Sequence, residues 1–218
     1  VFRTRTNEPS VRVQRLDMAA KALRPLPEKW KGLQDPETRY RQRYLDIITN
    51  EESRKRFEAR TGIVRAIRQT LDAKGFMEVE TPSLQPVYGG GNAVPFTTRH
   101  EALSQDFYLR IADELYLKRL LVAGYESVYE ICKDYRNEGI DRTHSPEFTM
   151  LEAYQAFADL SDMITLTETI VAEAARAATG GTRVGFNGKT VDFTPPWQQV
   201  TYRDALLEAT GLDLDDEA

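Results

Sequence analysis

The sequence holds one cysteine in 218 residues, Cys132. An internal disulfide and any site built on several thiolates are therefore excluded. Histidine is almost as scarce: His100 and His144 are the only two, and they offer no zinc spacing. No window approaches 18 consecutive apolar residues, so no membrane-spanning helix is expected. The first residues, Val1-Phe2-Arg3-Thr4-Arg5-Thr6, have neither the apolar core of a signal peptide nor an initiator Met. A cytoplasmic location and a start inside a longer protein are the expectations. Glycine-rich phosphate motifs are missing too. Gly188-Lys189-Thr190 echoes the end of a P-loop, but Arg183 stands where its first glycine belongs. Gly89-Gly90-Gly91 lacks the strand–GxGxxG–helix setting of a dinucleotide site.

What is present is unevenly charged. The net charge of −5 combines a basic front, 17 Lys+Arg against 9 Asp+Glu in residues 1–70, with an acidic remainder, 12 against 25. A basic front end can face RNA phosphates, or it can be ordinary solvated helix surface. The acidic remainder argues against a protein that merely coats nucleic acid.

Patterning predicts two short strands in 1–13 around a turn at Thr6-Asn7-Glu8-Pro9, too little for a stable domain. A linker punctuated by Pro25, Pro27 and Pro36 runs from Leu23 to Glu37. Ile63, Val64, Ile67 and Leu71 at helical spacing predict a helix over 51–74, stopped by Gly75. Strands are expected at 76–80, 106–111, 128–138 and 147–157, and helices at 113–122 and 161–178. Asn187-Gly188 marks a hairpin between 183–186 and 189–193. Thr201 with Asp204 caps a last helix. Hairpins outnumber βαβ units, which favours an α+β domain on an antiparallel sheet.

The two strands 128–138 and 147–157 carry the chemistry. Strand side chains alternate faces, so Glu130, Cys132, Asp134, Arg136 and Glu138 share one face. Phe148, Met150, Glu152, Tyr154 and Ala156 share a face on the second strand. Charged groups beside an aromatic and a Met suit a ligand-lined face: aromatics stack heterocycles, Arg grips phosphate or carboxylate, and Glu and Tyr hold amines. A surface hairpin with Arg–Glu pairs is the alternative. Cys132 itself reads as a small core side chain, and His100 as a surface loop residue.

Arg136-Asn137-Glu138, then His144, then Phe148 resembles motif 2 of class II aminoacyl-tRNA synthetases. Gly75-Phe76-Met77-Glu78-Val79-Glu80-Thr81-Pro82 resembles their motif 1. The lysyl enzymes are closest. Arg39-Tyr40-Arg41-Gln42-Arg43-Tyr44-Leu45-Asp46 is similar to their linker after the anticodon domain. Leu109-Arg110-Ile111-Ala112 with Glu114-Leu115-Tyr116-Leu117-Lys118-Arg119 is similar to their substrate helix. The block from Pro146 to Glu152, with Tyr154, continues the likeness, which covers about residues 1–178.

The resemblance implies a class II antiparallel sheet flanked by helices, incomplete, with a short remnant of an N-terminal OB β-barrel. The implied divisions are residues 1–20 for that barrel remnant, 21–50 for the linker and 51–218 for the first part of the catalytic domain. It implies an ATP-dependent ligase that activates L-lysine as lysyl-adenylate and transfers it to tRNA(Lys). Its partners would be lysine, ATP and that tRNA, with a homodimer through motif 1 and no membrane.

Arg136 would be the catalytic residue, bridging the lysine carboxylate and the α-phosphate of ATP. Glu138 would contact the adenine amino group, Phe148 would stack on adenine and His144 would approach the outer phosphates. Glu114 would hold the α-ammonium, Glu152 and Tyr154 the side-chain amine, and Gly90 would offer backbone to the substrate. Mg²⁺ would serve on the phosphates, with none of its ligands within this chain.

Ser145, Ala153, Phe157, Asp113 (where Pro is common) and Asn92-Ala93-Val94 depart from the family pattern. Nothing after Phe193 resembles motif 3, so the chain alone is expected to be inactive. A lysyl ligase acting on a translation-factor protein and a non-catalytic synthetase-like regulator are the rival readings.

Overall fold

A computed structural model describes residues 1–27 and 32–215. It divides into two compact units, Val1–Phe57 and Glu58–Ala218.

In the first unit, β1 (Phe2–Arg3) pairs antiparallel with β2 (Pro9–Ser10), and Asn7 takes the positive φ that the turn requires. The proline-punctuated linker includes residues 28–31, which lie outside the described residues. Its end is already helical: α1 (Pro36–Arg41) opens on an Asp35 cap, and α2 (Arg43–Thr49) follows directly. Neither helix is visible in apolar spacing. They are held by charge instead, because Asp46, fully buried, accepts from Arg39 Nε at 2.8 Å and Arg43 Nη1 at 2.9 Å. Buried carboxylates persist only with such partners.

Helix α3 (Glu51–Ala73) ends where Gly75 adopts φ +83°, which turns the chain into β3 (Met77–Glu78). Then come β4 (Leu84–Gln85), β5 (Thr97–His100), β6 (Gln105–Leu109), α4 (Glu114–Val122), β7 (Ser127–Tyr135) and β8 (Glu147–Gln155). The chain continues through α5 (Leu160–Thr179), β9 (Arg183–Phe186), β10 (Lys189–Asp192) and α6 (Tyr202–Thr210).

The architecture is α+β, with antiparallel sheets and helices, but its strands form separate small sheets. β3-β7-β8 and β4-β6-β5 are three-stranded; β1-β2 and β9-β10 are hairpins. One pair departs from the antiparallel expectation: β3 runs parallel to β7, with Met77 beside Val128. A tight turn forces antiparallel pairing. The long connection between these two strands removes that constraint. His100 is likewise not in a loop but on edge strand β5, exposed and against Phe107.

The β7–β8 ladder runs Ser127↔Gln155 through Tyr135↔Glu147. Its register gives the hairpin two unlike faces. Tyr129, Ile131, Leu151 and Ala153 join Leu71, Phe76, Leu166, Met163 and Ile170 from α3, β3's approach and α5 in the apolar core. The other face carries Glu130, Cys132, Asp134, Phe148, Met150, Glu152 and Tyr154. Burying the first face against two helices fixes the register, and so fixes which residues form the second.

Candidate active site

The rungs Val128↔Tyr154, Glu130↔Glu152, Cys132↔Met150 and Asp134↔Phe148 place both alternating sets on one continuous surface. Like charges opposite each other destabilise a sheet unless they are separately satisfied. Here each glutamate has its own holders. Glu130 takes Arg110 Nη1 at 2.7 Å, the Thr81 N–H at 3.2 Å and the Thr81 hydroxyl at 2.6 Å. Glu152 takes the Tyr154 hydroxyl at 2.8 Å and the Asp113 backbone N–H. Burial pushes the Glu152 carboxyl up, as do the nearby charges of Asp113 and Glu114, while the Tyr154 bond pulls it back. Burial and the Glu152 bond push the Tyr154 hydroxyl up, so it stays a donor.

The mouth is set by α4 and the glycine loop. Gly90 has φ +84°, and a Cβ there would lie 3.1 Å from both Ala112 Cβ and Glu114 Cβ. Glycine is thus required twice over, by conformation and by space. Glu114 pairs with Lys118, whose ammonium lies 5.9 Å from the Tyr154 ring centroid. An ammonium group therefore already sits among the acidic and aromatic groups expected to hold one.

The ladder stops at Tyr135, short of the predicted 138, but its direction carries on. The Arg136 N–H donates to Pro146 O at 2.9 Å, and the Asn137 N–H to Val94 O at 2.8 Å. The Arg136 guanidinium lies 5.1 Å over the Phe148 ring and donates to Ile111 O at 3.4 Å. Glu138 accepts from the Val94 N–H at 3.4 Å. His144 is exposed; its bonds are to Asp141 (2.7 Å) and Thr143 (3.1 Å) in its own loop. Backbone and side-chain bonds from Thr143 and His144 hold the Asp141 carboxyl well below the usual range. Glu152 with Tyr154, Glu114 with Gly90, and Arg136 with Phe148 are thus brought together pairwise. His144 is directed only to its own loop.

Sequence reasoning missed Arg110. It is buried and ties Lys133 O (2.9 Å), Thr81, Glu130 and Asp134 (3.5 Å) into one network. An arginine between Leu109 and Ile111 in an otherwise apolar run was the available signal. It also misjudged Cys132, which lies not in the apolar core but on the polar face. Its thiol donates to Asp113 Oδ2 at 3.2 Å and contacts Asp134 Oδ1 at 3.7 Å. Burial and the Asp113 charge push that thiol up, which leaves it protonated and unreactive.

Asp113, Cys132 and Asp134 are the one group among the described residues whose ligand-type atoms lie within 4.8 Å of one another. The set is buried and includes a thiol. It does not fit Mg²⁺, which takes oxygen ligands and keeps its waters.

An antiparallel hairpin with this polar face, a long helix and a parallel strand beside it, and a glycine loop over a helix start define the class. The family described as tRNA synthetases class II (D, K and N) matches residues 35–218, and the chain belongs to it. Among curated relatives, the lysine--tRNA ligase of Roseiflexus castenholzii is 57% identical over 212 residues, covering 97% of this chain and 43% of that protein. The lysine--tRNA ligase of Clostridium tetani is 53% identical over 216 residues, covering 99% and 43%. The chain thus spans less than half the length of these relatives. No helix among the described residues is long and apolar enough to cross a membrane.

Proposed function

We propose that the whole protein is an ATP-dependent lysine–tRNA ligase of the cytoplasm, and that this chain carries its amino-acid-reading half-site. The carrying observation is the Glu152–Tyr154 pair, bonded at 2.8 Å on the same sheet face as Phe148, over whose ring the Arg136 guanidinium lies at 5.1 Å, with the Glu114 charge felt by both members of the pair. A buried ammonium needs carboxylate and hydroxyl partners, and these supply them. Glu114 takes the α-ammonium, with Lys118 yielding its place. Gly90 offers backbone there without a side chain in the way.

Arg136 sets the lysine carboxylate against the α-phosphorus of ATP. The carboxylate attacks, pyrophosphate leaves, and no protein nucleophile is needed. Positioning and charge stabilisation are the site's contribution. Phe148 stacks the adenine, Glu138 meets its amino group and His144 swings to the outer phosphates. Mg²⁺ belongs to this chemistry in the family, but the acidic cluster in this chain does not suit it, and no step is assigned to it. The terminal ribose hydroxyl of tRNA(Lys) then takes the lysyl group, near the loop 139–145. Residues 1–20 are the close of an OB barrel, 21–50 the linker and 51–218 the start of the catalytic domain. Dimerisation runs through the motif 1 region, where Met77 is exposed.

Lysine-dependent ATP–pyrophosphate exchange by the full-length protein tests the reading. Glu152→Gln is expected to raise the KM for lysine at least ten-fold, with that for ATP nearly unchanged. Equal loss of both would sink the assigned role.

A further inference from the structure

Behind the Glu152–Tyr154 pair lie two carboxylates that the activation chemistry does not use. Asp113 and Asp134 are both fully buried. Asp113 Oδ1 and Asp134 Oδ2 have no hydrogen-bond partner among the described residues. Their other oxygens share the Cys132 thiol, at 3.2 and 3.7 Å, and Asp134 Oδ1 also meets Arg110 Nε at 3.5 Å. A buried carboxylate oxygen without a protein partner is costly. Two side by side, both charged, are costlier still, because like charges in one site cannot both ionise cheaply. The groups facing the pair are Arg110 from the β6–α4 connection, Glu130 and Cys132 from β7, Glu152 and Tyr154 from β8, and Glu114 from α4. Two cations stand near: Arg110, which Glu130 already engages at 2.7 Å, and Lys118 of α4, which pairs with Glu114.

We propose that Asp113 and Asp134 are a specificity-determining acid pair behind the amine pocket. In mildly acid solution they hold one proton between them in lysine-free protein and release it to solvent when a cationic side chain docks on Glu152. This rests on the lysine reading given above. The balance is simple: one carboxylic O–H bond breaks, the proton passes to water, and the second carboxylate charge it uncovers faces the incoming ammonium. A neutral side chain of the same length draws out no such charge. The pair thus acts through Glu152, whose carboxylate Asp113 also holds by its backbone N–H. It positions and selects, and does not touch the reacting atoms. The direction of titration agrees. Burial, with the Asp134 charge, pushes the Asp113 carboxyl up to about 6, and burial raises Asp134 as well.

Lysine titration calorimetry on the full-length protein, in two buffers of contrasting ionisation enthalpy, tests this. At pH 6 about half a proton per lysine is expected to be released, and almost none at pH 8. Affinity is expected to rise about four-fold from pH 5.5 to 7.5. An infrared difference spectrum should lose a protonated-carboxyl band when lysine is added. Asp113→Asn should abolish both the release and that band. Should that variant not fold, Asp134→Asn and the wild-type buffer dependence carry the decision.

Lysine binding with the same heat in both buffers at pH 6 would overturn the proposal while leaving the pocket assignment standing. A failure to bind lysine at all would instead overturn the pocket assignment, and this inference with it. A stoichiometric divalent ion retained through dialysis and lost in Asp113→Asn would also overturn it, because a cation and not a proton would then bridge the pair.

Discussion

Glu130 and Glu152 meet at one rung of a hairpin, yet they live in different electrostatic worlds. Glu130 is neutralised from within by Arg110 and Thr81. Glu152 keeps its charge available, steadied only by a hydroxyl and a backbone N–H. That division lets the proposed amine pocket sit on a well-satisfied floor. Asp113 has the opposite effect on stability. Its folded-state carboxyl titrates at about 6 against an ordinary 3.8. The neutral form is therefore favoured by folding. Its contribution is complete below about pH 4 and is lost as pH rises through about 6, a change on the order of 2–3 kcal/mol. Asp113→Asn keeps the shape and removes the charge. Thermal melting should find the variant several degrees more stable than wild type at pH 7.5, and level with it near pH 4. A variant that melts lower at pH 7.5 would contradict this balance.

Among the elements, those with a period of their own were legible. Helix α3 announced itself by Ile63, Val64, Ile67 and Leu71, and α5 by its length and its glycine stop. The β9–β10 hairpin was given by Asn187-Gly188. The short helices α1 and α2 were not, because Asp46 and its two arginines hold them by charge rather than by apolar spacing. Strands β4 and β5 escaped for a similar reason: they are short, and β5 is exposed along its whole length.

Strand alternation on the β7–β8 hairpin did group the side chains of the polar face, since period-two patterning decides which side chains share a face. The acid pair was beyond it. Asp113 reaches Asp134 from the start of α4, a contact that only topology creates. The glycine loop shows the same dependence on tertiary contact. Gly90→Ala must hold a Cβ at φ +84° and 3.1 Å from Glu114. A loss of lysine affinity of about ten-fold, or 1.4 kcal/mol, is expected, with little change for ATP. Isothermal titration with each ligand would show it, and an equal loss for both would speak against Gly90 serving the amino acid.

At the level of the molecule, the charge contrast read from the sequence coincides with a structural one. The first unit is small and carries 14 Lys+Arg against 8 Asp+Glu, and it includes residues 11–27, which form neither helix nor strand. The second contains the apolar core and the whole candidate site. Exposed backbone without regular hydrogen bonds is cut first by proteases. Limited trypsin digestion should therefore cleave at Arg12, Arg15 or Lys21 before any site within α3, β7 or β8. Added lysine should slow only the later cuts. Mass spectrometry of the first products would decide; early cleavage within α3 would deny the second unit its independent core.

The two-faced hairpin has an evolutionary consequence. Tyr129, Ile131, Leu151 and Ala153 anchor the scaffold, while Cys132, Met150, Glu152 and Tyr154 lie on the opposite, polar face that the proposed reading gives to the ligand. Point changes on the polar face can revise what is recognised without disturbing the foundation. A single inserted or deleted residue would exchange the two vocabularies at once. A lineage built this way diversifies by substitution within a fixed reading frame of strand positions, which suits a family whose members are grouped under three different amino acids.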